Sequence, residues 1–286
     1  MNFVKREFVN SSFYLNEAFK NDKPFLAGKI GNCELMCIYN YFYHTHKNQP
    51  VQWSQTVVDE IYNIAGLFPQ TEKARIDFIN EIVSCMPDID ALAWWSNFNR
   101  DFEARFIKKN SPNCELIELG SLDPFYSGSP WSQHLKNKKV LVISPFIESI
   151  KKQYTQKEKI WSDPRILPDF ELITINHPHS PAVDDNNKYS TWMEMIRDIR
   201  GQMDQIDYDV ALVGTGSSSL AIATHAKRNG RKGIHLGGSL QLLFGIKGRR
   251  WDNGEVGNYF YNENWVRPSQ NEVPKKYNLV EGGCYY

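Results

Sequence analysis

A glycine- and serine-rich turn, GTGSSS at 214–219, follows a short apolar run and precedes a segment with helical periodicity. Backbone N–H groups and the helix dipole at such a strand-to-helix junction favour an anion, commonly a phosphate. The turn is not a dinucleotide-binding fingerprint, because Ser219 replaces the third glycine, and it lacks the Gly-Lys-Ser/Thr ending of a Walker A loop. Two alternatives remain open: a phosphate-binding loop, or a tight turn with a serine cap.

A second glycine-rich turn, HLGG at 235–238, is followed by a short predicted helix and by the basic residues Lys247, Arg249 and Arg250. Two glycines allow a backbone to approach a ligand closely. Lysine and arginine can neutralise a diphosphate, arginine through paired hydrogen bonds. The alternative is a solvated basic turn. Because this turn comes one strand–helix unit after the first, we expect both to open on the same edge of a sheet.

An acidic corner, KIGNCEL at 29–35, links another apolar run to a helix. Asn32 as N-cap and Glu34 in the first turn suit helix initiation. The same residues could instead hold a metal ion, a ribose or a hydroxyl group. Asp123 and Ser144 also follow predicted strands, so they too are candidates for ligand contact, although Ser144-Pro145 could simply start a helix.

His177 and His179 flank a proline near another strand end. Such a pair can ligate a metal, but no third ligand stands at a recognisable spacing. We therefore favour a polar loop here.

The elements that position these residues alternate between short apolar runs and helix-period segments. The runs predict strands at 25–30, 91–95, 115–119, 140–144, 171–175, 210–213 and 233–236. Helices are predicted at 54–68, 71–85 with Thr71 as N-cap, 97–109, 145–157, 191–206 and 218–228. This alternation predicts an α/β fold with a Rossmann-like, mainly parallel sheet flanked by helices, in which 140–144 and 210–213 are buried central strands. Ligands of such sheets bind at the carboxyl ends of the strands.

Composition narrows the function classes. The 286 residues carry 33 basic and 33 acidic side chains, a balance that argues against nucleic acid or an anionic membrane as the main partner. No apolar run is long enough for a transmembrane helix. Five scattered cysteines without a CxxC pair predict reduced thiols and a cytoplasmic protein. We find no domain boundary, so the sequence predicts a single domain over 1–286, with a wrapping C-terminal tail from about residue 252.

Several stretches together resemble a known family: FLAGKIGNCELM, PWSQHLKNKKVLVISPFIESIKKQY, YDVALVGTGSSSLAIATHAKRNGRKGIHLGGSLQLLFGIKGRRWD and VEGGCYY. They are similar to microbial proteins related to the GT-D-type glycosyltransferases, from about residue 25 to the end. That resemblance implies a GT-D-like fold and transfer of a sugar from a UDP-sugar. It also implies an Asp-x-Glu corner that serves the metal and nucleotide-sugar site.

Carried over by position, the Asp-x-Glu motif falls on Asn32-Cys33-Glu34, so the glutamate is kept and the aspartate is an amide. Asparagine is a weaker, neutral metal ligand, which leaves dependence on Mn²⁺ or Mg²⁺ open, with Glu34 as the candidate ligand. The family's later glycine-rich loop falls on Gly214–Ser218. This chain has Ser217-Ser218-Ser219 where related proteins often have a small or aromatic residue and a glycine.

The leading hypothesis is a glycosyltransferase that transfers a sugar from a nucleotide-diphosphate sugar, expected to be a UDP-sugar, to a glycan or glycoconjugate acceptor, as in polysaccharide biosynthesis. The alternative is a non-catalytic nucleotide- or glycan-binding protein on the same fold. A methyltransferase is disfavoured, because its glycine loop normally follows the first strand. Glu34 and Asp123 are the candidate catalytic carboxylates. The candidate nucleotide-sugar-binding residues are Lys29, Gly31, Asn32, Ser144, Gly214, Thr215, Gly216, Ser217, Ser218, Gly237, Gly238, Gln241, Lys247, Arg249 and Arg250.

Overall fold

The computed structural model describes residues 11–95, 98–185 and 188–286. A seven-stranded sheet, parallel at every strand pair, forms its centre with the order β3-β2-β1-β7-β6-β4-β5. The predicted α/β, Rossmann-like architecture is therefore confirmed. The strands are β1 Phe25–Lys29, β2 Ala91–Ala93, β3 Glu115–Ile117, β4 Lys139–Ser144, β5 Glu171–Asn176, β6 Val210–Val213 and β7 Lys232–His235.

Helices flank the sheet, and several begin at the capping residues that the sequence offers. The side chain of Thr71 accepts from the Ala74 N–H, as predicted, and Thr191 caps a later helix in the same way. The helices are α1 Ser11–Lys20, α2 Asn32–Thr45, α3 Gln55–Asn63, α4 Glu72–Cys85, α5 Arg100–Asn110, α6 Ile147–Tyr154, α7 Trp192–Asp204, α8 Ser219–Arg228, α9 Ser239–Leu243 and α10 Glu255–Tyr259. Among the described residues, no helix is long and apolar enough to cross a membrane.

Three helix starts differ from the prediction. Gly31, in an extended conformation, is the N-cap of α2, so Asn32 is the first helical residue and the prediction of Asn32 as N-cap is wrong. Helix α6 begins at Ile147 rather than at Pro145. Helix α5 begins after Asn99, whose side chain accepts from the Phe102 N–H. The predicted start at residue 97 lies outside the described residues.

Alternation along the strands divides the core into two layers. In β4, Leu141 and Ile143 face one hydrophobic cluster, whereas Val140 and Val142 face the other. Successive side chains of a strand point to opposite faces, so a strand that is apolar throughout requires cover on both. The buried central positions predicted for β4 and β6 are confirmed, since both strands are apolar and almost fully buried.

The chain order creates a switch point beside β1. From β1 the chain proceeds outward to β2 and β3, and it later returns through β4, β5 and β6 to place β7 on the other side of β1. Connections that diverge in this way leave a crevice at the carboxyl ends of the adjacent strands. The acidic corner after β1 and the glycine turn after β7 therefore border one crevice.

The tail after Trp251 returns to this crevice. Its buried Glu272 accepts hydrogen bonds from the N–H groups of Glu148 and Ser149 in the first turn of α6. A carboxylate at a helix N-terminus is favoured by the helix dipole, so this contact fixes the tail in place. The chain then continues to Tyr285 and Tyr286, which line the crevice.

Candidate functional site

A cleft of about 270 Å³ lies at the carboxyl edge of the sheet. The turns that follow β1, β2, β4, β5, β6 and β7 all contribute to its walls, together with the turn after α3 and the C-terminal tail. This is where ligands of open parallel sheets bind. Of the predicted site residues, the following line the cleft: Lys29, Gly31, Asn32, Glu34, Ser144, Gly214, Thr215, Gly216, Gly237, Gly238, Gln241 and Arg250.

Glu34 folds back over the turn that precedes its helix. A Cβ at Gly31 would lie 2.1 Å from Oε2 of Glu34, so only glycine leaves room for this side-chain position. Burial in the cleft raises the pKa of Glu34, while its own backbone hydrogen bond and the charge of Lys29 act in the opposite direction. The carboxylate thus lies at the helix N-terminus and borders the cleft.

Lys29, the last residue of β1, extends across the turn after β7. A Cβ at Gly237, where φ is +62°, would lie 3.2 Å from Cε and 3.5 Å from Nζ of Lys29. Burial lowers the pKa of Lys29, Asp123 raises it, Arg250 lowers it, and Glu34 raises it. The charges of two carboxylates and one guanidinium therefore act on this ammonium.

Asp123 belongs to the same charge cluster, although it does not come from a strand end that borders the switch point. It lies between two 3-10 turns that follow β3. Burial raises its pKa, whereas Lys29 and a hydrogen bond with Ser239 lower it. The two carboxylates proposed from sequence, Glu34 and Asp123, are thus brought to the same lysine.

Two buried polar side chains beside the cleft retain atoms without a protein partner in the described part of the chain. His235 is 6% exposed, and its Nδ1 has no hydrogen-bond partner. Burial and the neighbouring Lys29 lower the pKa of His235 to about 3, so its imidazole is neutral. Gln241 donates from Nε2 to the Tyr285 carbonyl, but its Oε1 is unsatisfied. Buried polar atoms of this kind are few in native proteins, and a ligand would satisfy them.

The serines of the GTGSSS turn bond to the protein interior. Ser217 Oγ accepts from the Trp192 indole, Ser218 Oγ contacts His177 and Thr215, and Ser219 Oγ accepts from the Thr215 N–H. These side chains are almost fully buried. Ser217 and Ser218 therefore hold the turn rather than face the cleft.

The turn also directs several N–H groups inward. Gly214 donates to Ile143, and Ser217 donates to Ala65. Gly216 has a φ of +64°, and a Cβ there would lie 2.8 Å from the Ala65 carbonyl oxygen, so glycine is required. The backbone of 214–216 and the side chain of Thr215 line the cleft, and the N–H groups of Gly214 and Thr215 donate within the protein.

The basic cluster divides into one cleft residue and two peripheral ones. Arg250 lines the cleft and forms an ion pair with Glu281 of the tail. Arg249 donates to the Gly282 carbonyl at 3.0 Å, and the Lys247 ammonium lies 5.2 Å from the centre of the Tyr261 ring. Arg249 and Lys247 thus hold the tail and its neighbouring ring, whereas Arg250 borders the cleft.

Tyr285 closes the cleft over the second glycine turn. A Cβ at Gly238 would lie 2.7 Å from a ring carbon of Tyr285 and 3.1 Å from one of Trp251. Glycine at this position therefore lets the tail pack directly on the turn. Burial raises the pKa of Tyr285, so the phenol stays neutral and can donate a hydrogen bond.

The histidine loop and Ser144 border the cleft with most of their polar atoms engaged. His177 bonds through Nδ1 to the Pro178 carbonyl and through Nε2 to Ser218, while His179 contacts the Glu272 carbonyl through Nε2. Burial lowers the pKa of His177 to about 4. Ser144 Oγ accepts from the Phe146 N–H.

The side chains at the acidic corner do not fit a divalent cation. Within 11–95, 98–185 and 188–286, no group of three His, Cys, Asp or Glu could hold a metal ion. Glu34 supplies a carboxylate and Asn32 a neutral amide, but the ammonium of Lys29 is close to Glu34 and Asp123. An ammonium neutralises these carboxylates and repels a second cation.

No protein-family model, curated protein or solved structure matches this chain.

Sequence reasoning missed many cleft residues, among them His235, Trp95 and Tyr285. His235 ends β7, so inspection of strand ends could have found it. Trp95 follows β2, where the same rule applies. Tyr285 had no local signal, because its position depends on the path of the whole tail.

Proposed function

We propose that this protein is a glycosyltransferase that transfers a sugar from a nucleotide-diphosphate sugar to a glycan or glycoconjugate hydroxyl group. The observation that carries the proposal is the convergence of two cations, the carboxylate of Glu34 and two glycine turns on one cleft at the sheet's switch point, with the charge of Asp123 acting on the same lysine. The resemblance to GT-D-type enzymes supports the same reaction class.

In this proposal the diphosphate lies between the backbone of 214–216, the turn at Gly237-Gly238, and the cations Lys29 and Arg250. Both cations border the cleft before the ligand arrives, so they can stabilise charge that develops on the diphosphate. The side chains of Gln241 and His235 line the cleft beside the space for the nucleotide or sugar. Trp95 and Tyr285 offer rings to the base or sugar.

During transfer, the bond between the anomeric carbon and the diphosphate oxygen breaks, and its electron pair stays on that oxygen. The acceptor hydroxyl oxygen forms the new bond to the anomeric carbon, and its proton passes to a carboxylate. Burial raises the pKa of both Glu34 and Asp123, which makes each a stronger base than an exposed carboxylate. Glu34 lines the cleft, so it is the first candidate for this role, and Asp123 is the second.

A panel of UDP-sugars, tested for transfer and for donor hydrolysis with and without Mn²⁺, tests the proposal. We expect the wild-type protein to turn over at least one donor. The turnover rate should fall about a hundredfold or more in whichever variant, Glu34→Gln or Asp123→Asn, has lost the general base. Tight UDP binding without turnover across a broad acceptor panel would favour the non-catalytic binding protein instead. If the chain neither binds nor turns over any nucleotide-sugar, the proposal is wrong.

A further inference from the structure

Lys29 lies at the acidic corner and lines the cleft. Lys29 is fixed at the end of β1, whose register with β2 pairs Lys29 with Ala93. Its side chain crosses the Gly237 turn and lies near Glu34, Asp123 and Arg250. Because the cleft is lined by Lys29 and by both glycine turns, a diphosphate over those turns would meet this ammonium first.

We propose that the Lys29 ammonium takes the role that the family resemblance assigns to a divalent metal ion, so that nucleotide-diphosphate binding in this cleft needs no metal. The inference rests on the proposed function, and it names the group that neutralises the leaving diphosphate. Lys29 is thereby assigned as a catalytic residue, since it contacts the oxygen on which charge accumulates.

Three observations carry this assignment. The first acidic position of the expected motif is Asn32, which brings no charge. The described residues supply no three-ligand group for a metal. Burial lowers the pKa of Lys29, and the charges of the carboxylates that are present, Asp123 and Glu34, act against this effect.

The same arrangement explains why a lysine is tolerated in a largely enclosed position. A buried charge is costly unless it is compensated, and the charges of Asp123 and Glu34 offset part of that cost here. When a diphosphate arrives, the ammonium exchanges part of its interaction with these carboxylates for one with the ligand. Glu34 or Asp123 is then released to accept the acceptor's proton.

Isothermal titration with UDP and with inorganic diphosphate, each in EDTA and in Mn²⁺, tests the inference in three variants. We expect the wild-type protein to bind UDP in EDTA, with Mn²⁺ changing the affinity by less than about threefold. Lys29→Met should weaken binding about ten- to a hundredfold, the usual cost of losing a hydrogen bond to a charged group. Lys29→Arg should retain most of the affinity.

Lys73→Met is the control, because Lys73 is an exposed α4 residue paired only with Asp77 in the described structure, and we expect it to bind like wild type. Thermal unfolding shows whether Lys29→Met folds. If it does not, the affinity of Lys29→Arg and the comparison of wild-type binding in EDTA and in Mn²⁺ still decide whether binding needs a metal. Binding that requires Mn²⁺, or a folded Lys29→Met that binds like wild type, overturns the inference alone. A wild-type protein that binds neither probe in either buffer overturns the nucleotide-sugar proposal as well.

Discussion

Substitution of Gly214 by alanine tests whether the two glycine turns form one floor of the cleft. A Cβ at this position would lie 2.6 Å from the Gly237 carbonyl oxygen and 2.9 Å from two side-chain carbons of Leu240. Real Cβ contacts are essentially never shorter than 3.0 Å, so the turn after β7 must move by at least about 0.4 Å. Backbone on that side cannot rotate away as a flexible side chain would.

Overpacking of this kind costs about 1–3 kcal/mol in the free energy of unfolding. At roughly 2–4 °C per kcal/mol, this loss of stability should lower the melting temperature by about 2–12 °C. The displaced turn carries Gly237 and Gly238, so UDP affinity should fall in the same variant. Thermal unfolding and isothermal titration measure the two effects.

Gly201→Ala is the matched control. Gly201 lies in α7, and a Cβ there would meet nothing within 4 Å. Alanine in a helix is more favourable than glycine by about 0.5–1 kcal/mol, so this variant should unfold at the same or a higher temperature and bind UDP unchanged. A Gly214→Ala protein as stable as wild type, with unchanged UDP affinity, would refute the packing argument.

Three further substitutions probe the tail, the core and the cation of the cleft. Glu272→Ala removes the carboxylate that caps α6, so we expect a loss of about 2–4 kcal/mol and faster proteolysis of the tail, while unchanged proteolysis would argue against this anchor. Burial of Glu103 raises its pKa from 4.5 to about 7, so the folded state binds the proton more tightly and stability falls as pH rises through this window. Glu103→Gln should therefore raise the melting temperature at pH 8 and change it little at pH 4; equal effects at both pH values would contradict the assignment. Glu281→Gln frees Arg250 from its ion pair, and we expect tighter UDP binding in titrations at low salt, whereas weaker binding would show that the pair positions the arginine.

Much of the fold follows from the sequence because the sheet is buried on both faces. The sequence predicts all seven strands, and it predicts β6 with its observed bounds. A short, continuously apolar run has few possible structures other than a buried strand. Helix α1 was missed, because the region before Phe25 lacks a clear apolar period. The starts of α2 and α6 were displaced because the first residues after a strand can extend the turn before the helix begins.

The candidate site was predictable where it depends on strand ends and not where it depends on long-range packing. Lys29, Glu34, Gly214 and Gly237 come from turns after strands, and the parallel sheet brings these turns to one edge. The inward orientation of Ser217 and Ser218 could not be predicted, because it depends on partners in α7 and the turn after β5. The path of the tail to Tyr285 likewise depends on contacts formed only in the folded chain.

A crystal structure of the protein soaked with UDP in the presence of EDTA tests the central claim most directly. The account predicts the diphosphate between the backbone of 214–216 and the side chains of Lys29 and Arg250, with the Lys29 ammonium within hydrogen-bond distance of a phosphate oxygen. UDP bound elsewhere, or bound in this cleft only after Mn²⁺ is added and with the metal against Glu34, would contradict it.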